Sequence, residues 1–271
     1  MADRPALKVV TVDESEGVPT SPQLPSSDSS TVPADSVHAP DPDRLTALAE
    51  FAAGAGHEIN NPLGTIIGRA QQLLKDETDP RKRQALASIG AQAWRIRDMI
   101  GDVMLFARPP QPVCEQVEVQ KRLLRVLQTW SRDPAQQQIS IDWVVPDSLV
   151  VWADPVQFDV VLTELFRNSA QALGGAGVIR VAAQLLDENN RVRLIIADRG
   201  DGFSDLERQH AFDPFFSGRQ AGRGLGFGLC KVWRIVTLHG GQLHIRCEAG
   251  KETQFVMEWP VGPRNPGRLE L

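Results

Sequence analysis

His57, Glu58 and Asn61 form the most chemically suggestive cluster in the sequence. A neutral imidazole offers a lone pair near physiological pH, and an adjacent carboxylate can hold the ring or take its proton, so the pair could accept a phosphoryl group. A spacing of four puts His57 and Asn61 on one helix face. Zinc is the competing chemistry, but an HExxH site needs a second histidine where Asn61 stands. Taken alone, such a pair is more often a solvated polar patch, so its meaning depends on the rest of the chain.

Four later segments supply groups that suit a nucleotide. Glu164 and Asn168 lie one turn apart on a helix whose other face carries Val161, Leu162, Leu165 and Phe166, and a carboxylate with an amide oxygen could hold a hydrated Mg²⁺. The apolar strand Leu194-Ile-Ile-Ala197 delivers Asp198, followed by Gly200 and Gly202. A carboxylate there can accept a hydrogen bond from an adenine amino group, and the glycines let backbone pass close to a flat base. Phe212-Asp-Pro-Phe215-Phe216 reads as a hydrophobic hinge. Gly222-Arg-Gly224-Leu225-Gly226-Phe-Gly228 then opens into a helix whose N–H groups suit phosphates. The spacing is neither GxGxxG nor a P-loop, and each segment alone has a plainer reading as core, surface pair or turn.

The elements that must position these groups can be read from periodicity. Leu45, Leu48, Ala52, Ala55, Ile59, Pro62 and Ile66 step by threes and fours, as do Leu86, Ile89, Ala93, Ile96, Ile100, Val103 and Ala107. With Leu45 at an a position, His57, Glu58 and Asn61 point away from the seam. Asp76-Glu-Thr-Asp-Pro80 is a short break, which predicts an antiparallel hairpin over 44–112. One hairpin has almost no core of its own, so a dimeric four-helix bundle, and hence a homodimer, is expected. Arg108-Pro-Pro-Gln-Pro112 reads as a stiff linker. Over 113–262 we expect an α/β sandwich, with a mixed sheet and helices on one face. Its helices fall near 116–133, 154–173 and 226–239, and its strands near 138–145, 149–152, 177–186, 191–198, 241–247 and 252–259. Residues 263–271 form a tail.

Composition narrows the function classes. The chain has 271 residues and a net charge of −5. Residues 1–43 hold eight acidic and two basic residues, seven prolines and seven serines, which predicts a disordered leader. The remaining 27 basic and 26 acidic residues nearly balance, so nothing points to nucleic acid. No apolar run is long enough to span a membrane, so no direct membrane insertion is expected. Three distant cysteines make neither a disulfide framework nor a CxxC site, which fits a reducing cytoplasm.

In their order and spacing these segments resemble the sensor histidine kinases. Phe51 to Leu63 resembles the H-box, with Glu58-Ile-Asn-Asn-Pro62 similar to the nitrogen-regulator type. Asn168, Asp198 to Gly202, Phe212 to Phe216 and Gly222 to Gly226 resemble the N, G1, F and G2 boxes of the ATP-binding domain. The match covers roughly residues 44–260. The resemblance implies that His57 is the phosphoacceptor, that Glu58 is its acid/base partner, and that Asn61 orients the water or carboxylate in regulator dephosphorylation. It also implies that Asn168 binds Mg²⁺ and phosphates and Asp198 the adenine. The loop with Gly222, Gly224, Leu225 and Gly226 would take the phosphates, with Phe215 and Arg219 in the lid. The expected cofactors are ATP and Mg²⁺, and the expected partner is a response regulator receiver domain. A protein acting mainly as regulator phosphatase, a silent scaffold and a plain ATPase are the alternatives. The chain departs from the family at Glu164, where many members have Asn, and at Ser217-Gly-Arg219, where Thr-Thr-Lys is frequent. It departs again at Gly54 and Gly56, since each helical glycine costs roughly 1 kcal/mol.

Overall fold

The computed structural model describes residues 10–11, 42–130, 133, 138–186, 190–216, 226–247 and 252–263. The chain divides into two compact units, one of residues 39–111 with 213–227, the other of residues 1–38, 112–212 and 228–271.

The first unit is built on two helices, α1 (Pro42–Asp76) and α2 (Pro80–Ala107). At 1.5 Å per residue they run about 52 and 42 Å. Asp79 starts α2 by accepting the Arg81 N–H at 2.9 Å, with Pro80 at the first helical position, where its missing donor is harmless. Arg83 closes the turn, donating to the carbonyls of Leu74 (2.9 Å) and Glu77 (2.7 Å) that the end of α1 leaves open. Leu63, Ile67 and Ala93 form the hairpin interior, with Ile59 beside them. The expected seam is thus shifted, because Ile66 and Ile96 are each about two-fifths exposed (43% and 42%) and Ile89 and Leu73 more so. A bundle helix carries two apolar stripes, and only one faces its hairpin neighbour. Near the end of α2, fully buried Phe106 meets Phe227 edge-on at 6.0 Å, and Phe227 meets Phe215 at 4.8 Å.

The second unit opens with β1 (Val10–Thr11), so the expected leader contains a strand at these two residues, whose β-branched side chains favour one. There follow β2 (Glu115–Glu118), α3 (Val119–Trp130), β3 (Gln138–Val144), β4 (Val150–Ala153), α4 (Pro155–Ala172), β5 (Ala176–Leu186) and β6 (Arg191–Asp198). The short α5 (Asp205–Gln209), α6 (Gly228–Leu238), β7 (Gln242–Arg246) and β8 (Thr253–Pro260) complete it. The sheet order is β1-β3-β5-β6-β8-β7. β1 and β3 run parallel, as do β3 and β5, whereas β5–β6, β6–β8 and β7–β8 are antiparallel. The expected mixed sheet is therefore present. Alternate residues Ile179, Val181, Val192, Leu194, Ile196, Phe255 and Met257 face the main core with α3, α4 and α6. Ile195, Ala197 and Val256 make a small cluster on the other face. Two further segments differ from expectation: α5 forms where the sequence predicts no helix, and residues 115–118, the last three of them expected in a helix, pair with β4 as a strand in a second, two-stranded sheet. The partner strand lies some 35 residues away, a pairing that local pattern does not reveal.

Candidate nucleotide site and phosphoacceptor helix

In the second unit α4 carries the first pair of candidate groups. Asp154 caps it, accepting N–H bonds from Val156 (2.9 Å) and Gln157 (3.0 Å), and a third from Val113 (2.9 Å) that ties down the incoming chain. Partial burial works to raise the Asp154 pKa, but these donors and nearby His239 hold it below the usual carboxylate value. Phe158, Val161, Leu162, Leu165 and Phe166 bury the inner face of α4. Asn168 is half-buried one turn beyond Glu164. The carboxylate of Glu164, expected to share Mg²⁺ with Asn168, meets two cations: Lys231 on α6 reaches Oε1 at 2.6 Å and Arg167 reaches Oε2 at 3.3 Å.

The Asp198 loop is the most tightly determined part of the site. Asp198 ends β6 at 1% exposure, and its Oδ1 accepts the Gly200 N–H at 3.0 Å. Gly200 passes so close to the end of α4 that a Cβ there would lie 2.4 Å from the Ala172 carbonyl carbon. The Asp201 N–H donates to the Ala172 carbonyl at 3.2 Å. Gly202 adopts φ +72°, a conformation natural to glycine, and a Cβ there would meet the Cys247 Sγ at 2.9 Å. Thr253 is buried directly opposite Asp198 in the β6–β8 register, with its Oγ1 3.4 Å from Cys247 Sγ, and the Phe203 N–H also reaches that sulfur at 3.4 Å. Sequence reading missed Thr253 and Cys247; only the strand register brings them to Asp198. A buried acceptor carboxylate beside a hydroxyl, under glycine backbone, can read an amino-substituted planar base.

The phenylalanines separate. Phe212 is buried in the main core of the second unit, whereas Phe215, in the first, is 60% exposed and holds a positive φ of 67°, a strained conformation for a bulky residue. Gly226 also has φ +72°, and a Cβ there would lie 2.2 Å from the Phe216 carbonyl oxygen, so glycine is required twice over. Arg219, Gly222, Gly224 and Leu225 lie outside the described residues.

In the first unit, His57, Glu58 and Asn61 all fall within α1, and Glu58 and Asn61 are exposed as the heptad position predicts. For His57 the description extends to the backbone alone. Pro62 sits inside the helix and has no N–H to give the Glu58 carbonyl, which loosens the ladder next to the acceptor. The Thr65 hydroxyl donates to the Asn61 carbonyl at 3.2 Å. Gly56, read from sequence as a helix weakener, has a packing role: it is buried, and a Cβ there would stand 2.6 Å from the Met104 Sδ of α2.

Two family descriptions match the chain: "His Kinase A (phospho-acceptor) domain" over residues 47–112, and "Histidine kinase-, DNA gyrase B-, and HSP90-like ATPase" over residues 153–263. The chain belongs to the two-component sensor histidine kinases. This histidine kinase is 32% identical over 221 residues to sensor histidine kinase ZraS of Klebsiella oxytoca, an overlap of 81% of this chain and 47% of ZraS. It thus spans about half the length of the curated relatives it matches. Its fold is similar to that of full-length ShkA in complex with AMPPNP, with TM-score 0.68 and 25% identity, over 78% of this chain and 46% of that one. Histidine kinase ThkA in complex with response regulator protein TrrA has TM-score 0.57 and 22% identity, over 81% of this chain and 64% of that one, a likeness of fold alone.

Proposed function

We propose that this chain is an ATP-dependent protein histidine kinase that phosphorylates His57 and passes the phosphoryl group to an aspartate of a response regulator receiver domain. The observation that carries the reading is the presence on one chain of an exposed Glu58 and Asn61 beside His57 on α1, and of a separate domain where buried Asp198 is held at a strand end under Gly200 and opposite Thr253. Asp198 accepts the adenine amino hydrogen, and Asn168 offers its amide toward the phosphates. In the transfer the bond from the γ-phosphorus to the bridging oxygen of ADP breaks as a bond to an imidazole nitrogen of His57 forms. The proton displaced from the ring passes to Glu58. Mg²⁺ would neutralise charge on the phosphate oxygens. The amide of Asn168 suits a cation that keeps several waters and shares the nucleotide's own oxygens.

Outward-facing Ile66, Leu73, Ile89 and Ile96 support dimerisation of the hairpin with a second copy into a four-helix bundle. Among the described residues no helix is long and apolar enough to cross a membrane. The reading is tested by pairing two variants with labelled ATP. His57→Gln is expected to lose all protein labelling while keeping ATP affinity, and Asp198→Asn to lose both affinity and labelling. Labelling that survives in His57→Gln would overturn the acceptor assignment.

A further inference from the structure

Glu164 and Lys231 form a buried ion pair that nucleotide binding as described above does not use. The Nζ to Oε1 distance is 2.6 Å and the two side chains, Lys231 and Glu164, are 4% and 6% exposed, although 67 residues separate them in the chain. A pair this dry is expensive to desolvate and is weak evidence of a role in stability alone. Its placement argues for another role. Lys231 lies in the first turn of α6, where the helix dipole disfavours a cation, so the helix itself gains nothing from it. Glu164 has the sign that suits that end: Oε2 stands 3.2 Å from where a Cβ of Gly228, the first residue of α6, would be. Gly228 therefore gives room for the carboxylate to abut the start of the helix. Glu164 also lies one turn from Asn168 on α4.

We propose that the Glu164–Lys231 pair is a positioning device for nucleotide binding: it locks the start of α6, where the glycine-rich segment ends, to the turn of α4 that presents Asn168, and Glu164 is not a metal ligand. The inference rests on the nucleotide-binding reading above. Removing either charge leaves the other buried against an element it no longer orients, so the site loosens for nucleotide with or without the metal. A metal ligand behaves differently, because its loss shows only when Mg²⁺ is present.

The test uses the full chain and ATP, with affinity measured calorimetrically in Mg²⁺ and again in EDTA, for Glu164→Gln, Lys231→Met and the double variant Glu164→Met/Lys231→Met. Each single variant is expected to weaken both arms by the same factor, roughly tenfold, within the range of couplings one site exerts on another. The double variant, which lacks the link between α4 and α6 altogether, is expected to keep the loss in both arms, and native affinity in it would show that only one charge left without the other is harmful and would overturn the proposal. Thermal unfolding without nucleotide confirms that each variant is folded. A loss confined to the Mg²⁺ arm of Glu164→Gln would make Glu164 a ligand and overturn the proposal. Folded single variants with lower melting temperatures but native affinity in both arms would reduce the pair to a structural role and overturn it equally. A native chain that binds no ATP in either arm would instead refute the nucleotide-binding reading on which the proposal rests.

Discussion

Replacing Gly200 with alanine would put a methyl carbon 2.4 Å from the carbonyl carbon of Ala172, 2.5 Å from its oxygen and 2.6 Å from its Cβ. Carbon atoms rest about 3.5–4.0 Å apart, so backbone on one side has to retreat by about 1 Å. Ala172 ends α4, whose inner face is locked in the main core, so the loop moves. That loop carries the Gly200 N–H that holds Asp198 Oδ1 at 3.0 Å and the Asp201 N–H that reaches Ala172. Overpacking of this kind costs roughly 1–3 kcal/mol. At about 2–4 °C per kcal/mol for a domain of this size, the melting temperature should fall by roughly 2–12 °C. Losing a hydrogen bond to a charged group is worth about 1.5–3 kcal/mol, so ATP affinity should drop by about tenfold or more. Differential scanning fluorimetry gives the first quantity and isothermal titration calorimetry the second. A Gly200→Ala variant with native melting temperature and affinity would refute the close approach. A lower melting temperature with native affinity would refute the link between this turn and base recognition.

Three further outcomes follow from named contacts. Ile96→Asp, on the outward stripe of α2, should convert the proposed dimer to monomer by light scattering, because pairing the hairpins would bury an unpaired carboxylate; a dimer that persists would place the interface elsewhere. Burial lowers the pKa of His239, against the opposing pulls of the Ile235 carbonyl and Asp154, and lowers that of His244, where Glu258 opposes and Arg246 and Arg193 assist. Below the ordinary value of 6.5 the unfolded chain therefore binds protons that the folded one resists, so urea midpoints should fall as the pH drops from 6.5 toward the folded values; Asp154 adds a second loss below 3.8, and a flat profile between about pH 7 and 5 would contradict the histidine part. Asp154→Ala should cost about 1 kcal/mol or more in chemical denaturation through the lost helix cap, and an unchanged midpoint would deny the cap its role.

Much of this architecture was legible because alternation and heptad spacing report burial directly. Around 177–198 and 241–259 short runs of β-branched and apolar residues mark the strands, and the register pairs Ile179 with Asp198 and Arg246 with Gln254. What local pattern missed depends on distant partners. Glu164 has the chemistry of a metal ligand in isolation, and nothing local to it shows that Lys231, on another helix, reaches its carboxylate at 2.6 Å. Thr253 looks like any strand threonine until the β6–β8 ladder sets it against Asp198. Gly56 reads as a propensity penalty until Met104 fills the space a side chain would need. The expected seam of the first helix is shifted by one position, because which apolar residues face inward depends on the second helix, so Leu63 and Ile67 are inside and Ile66 is not.

The most direct test is the chemical identity of the label after the native full chain is incubated with γ-labelled ATP and Mg²⁺. A phosphoramidate on imidazole is expected, with label stable in base and lost in acid, and proteolysis under alkaline conditions should place it on the peptide that contains His57. Label that survives acid, label recovered on another residue, or ATP that binds without any transfer would each contradict the account.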